Sequence, residues 1–422
     1  MKGTHRLFIS LLGSLMLVVT GCGGGELDNA PVSQEQDDNQ VPIFEVDPLW
    51  PKPLPNNWVT GGVVGVAVDK DENIWIAHRS TFIAANDRSA DNGVSSICCV
   101  SAPPILVFNQ AGDLIKSWGP QRQASGTAGA IATGDVEVVP GWEQWAQSEH
   151  GLTIDYKGFL WTGGNGQKDS RVLKFTLDGE FVMAIGNYAP YGTDGPGHDG
   201  GPSSDDTENL NKPTKAWVDP ATDEVYISDG YGNRRVVVFD ADTGEYKRHW
   251  GAYGGVPDDD DPYNATRGGV DETYDPDIAS KQFGRATHGI TVSLDSIVYL
   301  ADRTNNRVQS FSADGTFLKE VFIDRHSRGF GSAFDVALSS DPEQRFLYVA
   351  DGMNSRVVVV RRDTMEVVSR FGHGGPYPGG MYALHSLATD SQGNLYTGET
   401  LHGRRVQRWI YKGLGPMGDT GE

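Results

Sequence analysis

Long helical patterns and positive charge are both scarce in this chain. No stretch shows the sustained 3.6-residue apolar period of a long helix, and 35 lysine and arginine residues face 56 aspartate and glutamate residues, for a formal net charge of −21. Such a deficit of positive charge argues against a partner held through its phosphate backbone, so we expect no nucleic-acid ligand. Turn-forming residues are abundant instead, with 54 glycines and 22 prolines. This composition favours one large all-β domain over two α/β domains.

Long apolar runs are scarce as well, and one lies at the N-terminus. A basic start precedes apolar residues from Leu7 to Val19, a run that is short for a membrane span and typical of a targeting segment. It ends in Val-Thr-Gly-Cys, which resembles the bacterial lipobox, in which the cysteine becomes the lipidated first residue. We therefore expect residues 1–22 to be a lipoprotein signal peptide with Cys22 lipidated; a plain signal peptide with a chance cysteine is the alternative. The protein would then be exported and anchored by lipid to a bacterial membrane, facing the periplasm or the cell surface.

Cysteine is rare, and beyond Cys22 only Cys98 and Cys99 remain. A neighbouring pair cannot join distant segments of the fold. In an exported protein the two residues can close a vicinal disulfide that makes their loop more rigid. Two free, buried thiols are the alternative.

Six repeats occupy the region from residue 43 to residue 412. The repeat is a short strand, a turn, a second strand that ends in a small residue and an acid, a third strand that an Arg-Val pair opens in five of the six, and a fourth strand. The Arg-Val pairs begin at Arg171, Arg235, Arg307, Arg356 and Arg405. They resemble the NHL repeat family over roughly residues 60–410. Because four short strands make one propeller blade, the sequence predicts an all-β, six-bladed β-propeller.

The two ends of this region are expected to complete one blade together. The sixth repeat runs out of chain before its fourth strand, and the segment from Ile43 to Val46 precedes the first repeat without a blade of its own. We predict that this segment supplies the missing strand, which closes the ring and removes an open sheet edge. Residues 23–42 are glycine-rich and polar and are expected to form a flexible tether. Residues 413–422 are expected to be a C-terminal tail, and the protein a monomer.

Histidine recurs at one position of alternate repeats. When the first strands of the six repeats are aligned, one position is filled by Val64, His150, Thr214, His288, Phe334 and His385. In a closed ring, one position in repeats two, four and six forms a threefold set around the axis. Three neutral imidazoles without carboxylate or thiolate favour zinc with one open coordination position. Hydrogen bonding of the histidines between blades is the alternative interpretation.

Three further residues lie where second strands end. Arg79 ends the second strand of repeat one, Arg303 follows that of repeat four, and Tyr231 follows that of repeat three. Such positions can approach the mouth of the channel, where a cation suits an anionic substrate and a tyrosine can transfer protons. For each arginine the alternative is a structural salt bridge with a neighbouring blade.

Long connections enter at the face that carries the histidines. They span residues 120–149, 187–213 and 252–287. Loops of this length usually form the walls or lids of a functional site. The acidic run of residues 258–261 in one of them is expected to be a solvated loop, with a calcium loop as the alternative.

These motifs together resemble the peptidyl-α-hydroxyglycine α-amidating lyase family, which is a six-bladed propeller with three zinc histidines. The resemblance rests on motifs around His150, His288, His385, Arg79, Tyr231 and Arg303. It implies cleavage of a peptide ending in α-hydroxyglycine to a peptide amide and glyoxylate. Zinc would bind the substrate hydroxyl, Tyr231 would assist proton transfer, and the two arginines would hold the carboxylate or the charge of the tyrosine.

The resemblance also implies a structural calcium ion, but one ligand differs. In the family an aspartate directly follows the third histidine and helps to hold calcium, together with backbone carbonyls that correspond to Val66 and Leu152. Here that position is Ser386. The change puts both calcium and the natural substrate in question.

Three functions therefore follow from the sequence. The first is a zinc lyase acting on a small-molecule or peptide substrate of the α-hydroxyglycine type. The second is a propeller hydrolase of the lactonase or esterase type, which would usually have a carboxylate-rich calcium site. The third is a non-catalytic NHL module that binds a protein or glycan at the cell surface.

Overall fold

The computed structural model describes residues 39–80, 83, 87, 90, 97–121, 141–191, 194–197, 200–261 and 275–417. Cys22, the expected signal peptide and most of the expected tether lie outside these residues. Within the described part, no helix has the length and apolar character needed to cross a membrane. Almost all regular structure is strand.

The strands are short and follow one another with little other regular structure between them. In chain order they are β1 (Gln40–Val46), β2 (Trp58–Val59), β3 (Gly62–Val68), β4 (Ile74–Arg79), β5 (Val100–Ser101), β6 (Ile105–Phe108), β7 (Leu114–Trp118), β8 (Glu149–Ile154), β9 (Phe159–Gly164), β10 (Arg171–Thr176), β11 (Phe181–Gly186), β12 (Lys215–Asp219), β13 (Glu224–Asp229), β14 (Arg235–Asp240), β15 (Tyr246–Trp250), β16 (Thr287–Val292), β17 (Val298–Asp302), β18 (Arg307–Phe311), β19 (Phe317–Phe322), β20 (Ala333–Leu338), β21 (Phe346–Asp351), β22 (Arg356–Arg361), β23 (Glu366–Phe371), β24 (His373–Gly374), β25 (Gly380–Met381), β26 (Leu384–Thr389), β27 (Leu395–Glu399) and β28 (Arg405–Pro416). Two short 3-10 segments, Ala252–Gly254 and Arg303–Asn305, also occur in the described residues.

Most of these strands form six four-stranded antiparallel sheets, one for each predicted repeat, and the short strands β2 with β5 and β24 with β25 form two parallel pairs. The sheets are β3-β4-β6-β7, β8-β9-β10-β11, β12-β13-β14-β15, β16-β17-β18-β19, β20-β21-β22-β23 and β26-β27-β28-β1. The first strands contact one another in the ring order β3, β8, β12, β16, β20, β26 and back to β3. The predicted six-bladed β-propeller is therefore confirmed, with the first strands around the central axis.

The predicted closure is also confirmed, and it is longer than expected. β1 pairs antiparallel with β28 from Gln40 opposite Pro416 to Val46 opposite Trp409. β1 thus includes the last three residues of the expected tether. β28 includes the segment from Gly413 to Pro416, which was expected to belong to the tail. Within that segment Leu414, Gly415 and Pro416 lie opposite the first three residues of β1.

The acid and arginine of the repeat pattern form ion pairs. Arg235 contacts Asp229 at 2.9 Å in blade three, and Arg307 contacts Asp302 at 2.8 Å in blade four. All four of these side chains are fully buried. The arginine that opens a third strand thus neutralises the acid that ends the second, which explains why the two residues recur together.

The adjacent cysteines lie away from the axis, in the connection between β4 and β6. The structure joins Cys98 and Cys99 in a disulfide. The backbone beside it is tied to another loop, because Val100 N–H donates to the carbonyl of Asn57 at 3.0 Å.

Candidate metal centre

The first strands are irregular at the position where the sequence aligns the histidines. In blades one, two, four, five and six, the pairing between the first and second strands shifts register at that point. In blade three, β12 pairs with β13 without a shift. A bulge turns a side chain away from its regular direction. Residues at the histidine position and at the next position can therefore both line the central cavity, as His150 and Gly151 do.

The three histidines meet on the axis. His150, His288 and His385 are 1%, 3% and 5% exposed. Their ring centroids are 4.8, 4.9 and 4.8 Å apart, and one ligand nitrogen from each lies within 4.8 Å of the others. A nearly equilateral set of imidazoles fits a metal ion with three protein ligands and an open position.

Two of the histidines are oriented by backbone carbonyls of the next blade. Nδ1 of His150 lies 2.8 Å from the carbonyl oxygen of Thr214, and Nδ1 of His288 lies 2.5 Å from that of Phe334. Because a carbonyl only accepts, Nδ1 carries the proton in both rings and Nε2 keeps its lone pair for a metal.

Glycine after each of these histidines allows the blades to approach. A Cβ on Gly151 would lie 2.3 Å from the Thr214 carbonyl oxygen, and one on Gly289 would lie 2.4 Å from Asp335 Oδ1. The His-Gly pairs of the sequence thus have a steric reason: a larger residue would push away the strand that supplies the carbonyl.

His385 departs from this arrangement. It is followed by Ser386 instead of glycine, and its Nδ1 is buried without a hydrogen-bond partner in the structure. All three residues are histidines, but the Nδ1 hydrogen bond that orients the first two imidazoles is not made by the third.

The environment keeps all three imidazoles neutral. Burial lowers the pKa of His150, His288 and His385 well below the usual value. Nearby positive charge acts in the same direction, from Arg303 on His288 and from Arg79 on His385. A neutral imidazole is the form that binds a metal, so these nitrogens need not lose a proton at neutral pH.

Tyr231 lies directly beside the ligand nitrogens. Its hydroxyl oxygen is 3.2 Å from Nε2 of His150 and 3.4 Å from Nε2 of His288. Nη1 of Arg303 donates to the same oxygen at 3.1 Å, and the guanidinium lies over the ring of Phe334 at 4.9 Å. A buried cation is therefore fixed beside the Tyr231 hydroxyl oxygen.

Arg79 approaches the axis from blade one. Its Nε donates to the carbonyl of Glu149 at 2.5 Å, and its Nη2 donates to Oδ1 of Asn165 at 2.8 Å. Glu149 directly precedes His150, so the guanidinium is held next to the first histidine. The structure thus brings together all six residues named as zinc ligands or catalytic residues, while the role of each stays a prediction.

The expected calcium site does not fit the residues present. Val66, Leu152 and Ser386 line the central cavity, but so do Lys215 and Asp335, which form an ion pair with each other. An ammonium group repels a divalent cation and offers it no lone pair. The sequence did contain a signal for these two residues, because each directly follows the histidine position of its own repeat.

The acidic run is not simply a solvated loop. Asp259 accepts hydrogen bonds from the backbone N–H of Ser204 at 2.7 Å and from its hydroxyl at 2.6 Å. The buried Arg234 donates to the carbonyls of Asp258 and Asp261 at 3.4 and 2.9 Å. Backbone carbonyls thus fasten this loop onto blade three next to Tyr231, which the charge pattern alone did not indicate.

Comparisons with known proteins find distant relatives. No family model matches the sequence. The chain is similar to peptidyl-glycine alpha-amidating monooxygenases A and B of Xenopus laevis, at 26% identity over 284 residues and 27% over 285, and to peptidylglycine alpha-amidating monooxygenase of Rattus norvegicus, at 26% over 269. These matches cover 66%, 67% and 62% of this chain but 24%, 26% and 22% of the relatives, so the chain spans about a quarter of their length.

Among solved structures, one titled as a streptogramin B lyase aligns with a TM-score of 0.49 and 10% identity, covering 88% of this chain and 98% of that chain. By its own strand pairing the chain is a six-bladed β-propeller with a buried three-histidine centre, and its sequence has a distant similarity to peptidyl-glycine alpha-amidating monooxygenases.

Proposed function

We propose that this protein is a zinc-dependent lyase that cleaves an N-acyl or peptidyl α-hydroxyglycine to an amide and glyoxylate. The observation that carries the proposal is the position of the Tyr231 hydroxyl, against Nε2 of two buried histidines and under the guanidinium of Arg303. A histidine set that only joined blades would not need a tyrosine and a cation at its open side.

The reaction moves one proton and breaks one bond. The substrate hydroxyl loses its proton, its oxygen forms the carbonyl of glyoxylate, and the C–N bond electrons go to nitrogen, which takes up a proton as the amide leaves. Zinc, when bound by the three imidazoles, supplies a Lewis acid that lowers the pKa of the hydroxyl group.

Tyr231 is the proposed proton-transfer residue. It is buried, and its oxygen lies within hydrogen-bond distance of groups on the axis. Negative charge on the oxygen would be stabilised by the Arg303 guanidinium, because the interaction of charges is strong where water is excluded. Arg303 therefore acts on the tyrosine.

Arg79 is the proposed carboxylate-binding residue. Its guanidinium is oriented by the Glu149 carbonyl and by Asn165, and its charge lowers the pKa of His150 and His385. A planar guanidinium held beside the metal centre suits the carboxylate of an α-hydroxyglycine, which it can bind through two hydrogen bonds.

Elemental analysis and an assay for glyoxylate test the proposal. We expect near one zinc per chain, lost in His150→Ala, His288→Ala and His385→Ala, and glyoxylate release from N-benzoyl-α-hydroxyglycine. Tyr231→Phe should keep zinc and lower kcat by about 10²–10⁴-fold, the range for loss of a general acid–base group. The control is Tyr377→Phe, since Tyr377 is 79% exposed.

Protein that takes up no stoichiometric metal would contradict the metalloenzyme proposal and leave a binding propeller. Zinc-loaded protein that releases no glyoxylate would contradict the proposed reaction. The lactonase alternative has less support, because the metal-donor cluster found among the described residues consists of histidines without carboxylates.

Export and lipid anchoring belong to the same proposal. Their support is the basic start, the short apolar run and the Val-Thr-Gly-Cys sequence that ends at Cys22. Cys22→Ala should leave the protein unlipidated and extractable from membranes without detergent. Equal membrane retention of both forms would contradict the anchor.

A further inference from the structure

Two charged residues stand in a ring of otherwise small residues around the propeller axis. The position that follows the histidine position in the six first strands is filled by Gly65, Gly151, Lys215, Gly289, Asp335 and Ser386. The side chains of Lys215 and Asp335 are only 8% and 3% exposed. Buried charges are costly unless they are paired, so their partner decides what they do.

Lys215 and Asp335 satisfy each other. Nζ of Lys215 donates to Oδ1 of Asp335 at 2.7 Å and to Oδ2 at 2.9 Å. The carboxylate also accepts from the backbone N–H groups of Leu387 at 3.0 Å and Val336 at 2.9 Å. Burial raises the pKa of Asp335, and the Lys215 charge with these donors opposes that change.

The pair crosses between blades that are not neighbours. Lys215 belongs to blade three, Asp335 to blade five, and the donor Leu387 to blade six. Blade four lies between the first two, so the ion pair spans part of the channel and links three first strands.

The pair shares one small cavity with the histidines. This cavity is about 10 Å³ in volume, room for about one water molecule. Both Lys215 and His385 line it, and the Lys215 charge contributes to lowering the pKa of His385. Val66 and Leu152, the residues to which the family resemblance assigns calcium-binding carbonyls, line it as well.

We infer that the Lys215 ammonium is a built-in cation of the propeller axis, which holds the first strands together through Asp335 and excludes a second metal ion. Calcium is the ion that it replaces, since the Asp335 carboxylate is an oxygen donor of the kind calcium prefers. The inference does not depend on the reaction, because it concerns which cation balances Asp335.

Calcium binding to the full chain and to Lys215→Met tests this. Calcium chloride added to calcium-free wild-type protein should leave the Tm unchanged, and elemental analysis should find zinc but no calcium. Lys215→Met should lower the Tm by several degrees, because Asp335 is left buried and unpaired. Calcium should then raise the Tm of this variant in a saturable way, and Lys215→Met/Asp335→Asn should not respond.

Lys174→Met is the matched control. Lys174 is also buried and bonded, to the carbonyl of Ala241 at 2.8 Å, but it lies in β10 away from the axis. This variant should lose stability without gaining a calcium response. If Lys215→Met yields no soluble protein, Lys215→Gln replaces it, since its amide can still donate to Asp335.

Stoichiometric calcium in the wild-type protein would overturn the inference. So would a Lys215 variant that is destabilised but indifferent to calcium, because the pair would then be an ordinary salt bridge. Zinc content is measured in every variant. If none of the proteins, wild type included, binds zinc while the calcium responses are as expected, the proposed function is contradicted and this inference is not.

Discussion

Two sets of residues on the same axis solve the burial of polar groups in opposite ways. The histidines come from blades two, four and six and present neutral nitrogens, two of them oriented by carbonyls. The Lys215–Asp335 pair comes from blades three and five and carries charges that cancel. Under the proposed function the first set takes up a cation from outside, whereas the second brings its own in the Lys215 ammonium. The comparison shows that two adjacent positions of the repeat can have different roles. The histidine position offers metal ligands, and the next position holds the first strands together.

The largest expected effect is the loss of bound metal when one histidine is removed but not when the ion pair is broken. His288→Ala should reduce bound metal from near one ion per chain to none, because two imidazoles without a carboxylate or thiolate make a weak zinc site. Lys215→Met should keep the metal. Elemental analysis of both variants after dialysis checks this, and loss of metal from Lys215→Met would mean that the two sets are not independent.

The next largest effect concerns the ion pair alone. Removing one partner of a buried pair costs about 3–5 kcal/mol, whereas replacing both with apolar residues is often neutral. Lys215→Met should therefore lose about 3–5 kcal/mol in the free energy of unfolding, and Lys215→Met/Asp335→Leu should recover most of it. Chemical denaturation measures both, and a double variant as unstable as the single one would contradict the argument.

A fourth buried histidine, His78, adds a case in which burial of a neutral imidazole makes the stability depend on pH. His78 accepts from the N–H of Gly61 at 3.1 Å through Nδ1 and donates to the carbonyl of Pro103 at 2.9 Å through Nε2, so neither nitrogen is directed at a metal. Burial lowers its pKa from 6.5 to about 4. The unfolded chain therefore takes up a proton first as the pH falls.

Stability from the neutral His78 is full above pH 6.5 and is lost as the pH falls towards 4, about 3 kcal/mol in all at 1.36 kcal/mol per pKa unit. His78→Gln keeps one acceptor and one donor but does not titrate. Its free energy of unfolding should fall less than that of the wild type between pH 7 and pH 4. Parallel pH profiles for the two proteins would refute the assignment.

The smallest effect tests the contact between the two sets. A Cβ at Gly289 would lie 2.4 Å from Asp335 Oδ1 and 3.0 Å from the Phe334 carbonyl that orients His288. Gly289→Ala should cost about 1–3 kcal/mol from overpacking and should weaken zinc binding as well. Gly374→Ala is the control, because no atom lies within 4 Å of its Cβ position. Equal unfolding curves for the two variants would show that the structure accommodates an added methyl group at Gly289 and would contradict the prediction.

The repeat pattern made the fold and the meeting of the histidines predictable. Six aligned first strands sufficed to place His150, His288 and His385 on one axis, and the Arg-Val pairs fixed the register of the blades. Lys215 and Asp335 were missed because successive residues of a regular strand point to opposite faces. At Asp335 a bulge changes that rule locally, and no residue type indicates it. In blade three the rule does not apply, because Thr214 lies just before β12 begins at Lys215.

Other features depend on contacts that repeat spacing does not specify. The hydrogen bonds of Asp259 with Ser204 join two long loops, and the oxygen that unites Tyr231 and Arg303 depends on how blades three and four face each other. The sequence could propose that these residues approach the channel. Only the packed blades determine which of them contact each other.

Closure of the ring by β1 and β28 has a consequence for how the protein is made. Blade six needs residues from Gln40–Val46 and from Arg405–Pro416, segments that lie far apart in the chain and meet at a high entropic cost. His385 belongs to that blade, so the third imidazole lies in the blade that the two ends of the chain complete. Under the proposed function, we expect metal uptake to follow closure of the ring, so that bound metal would report the completion of the last blade.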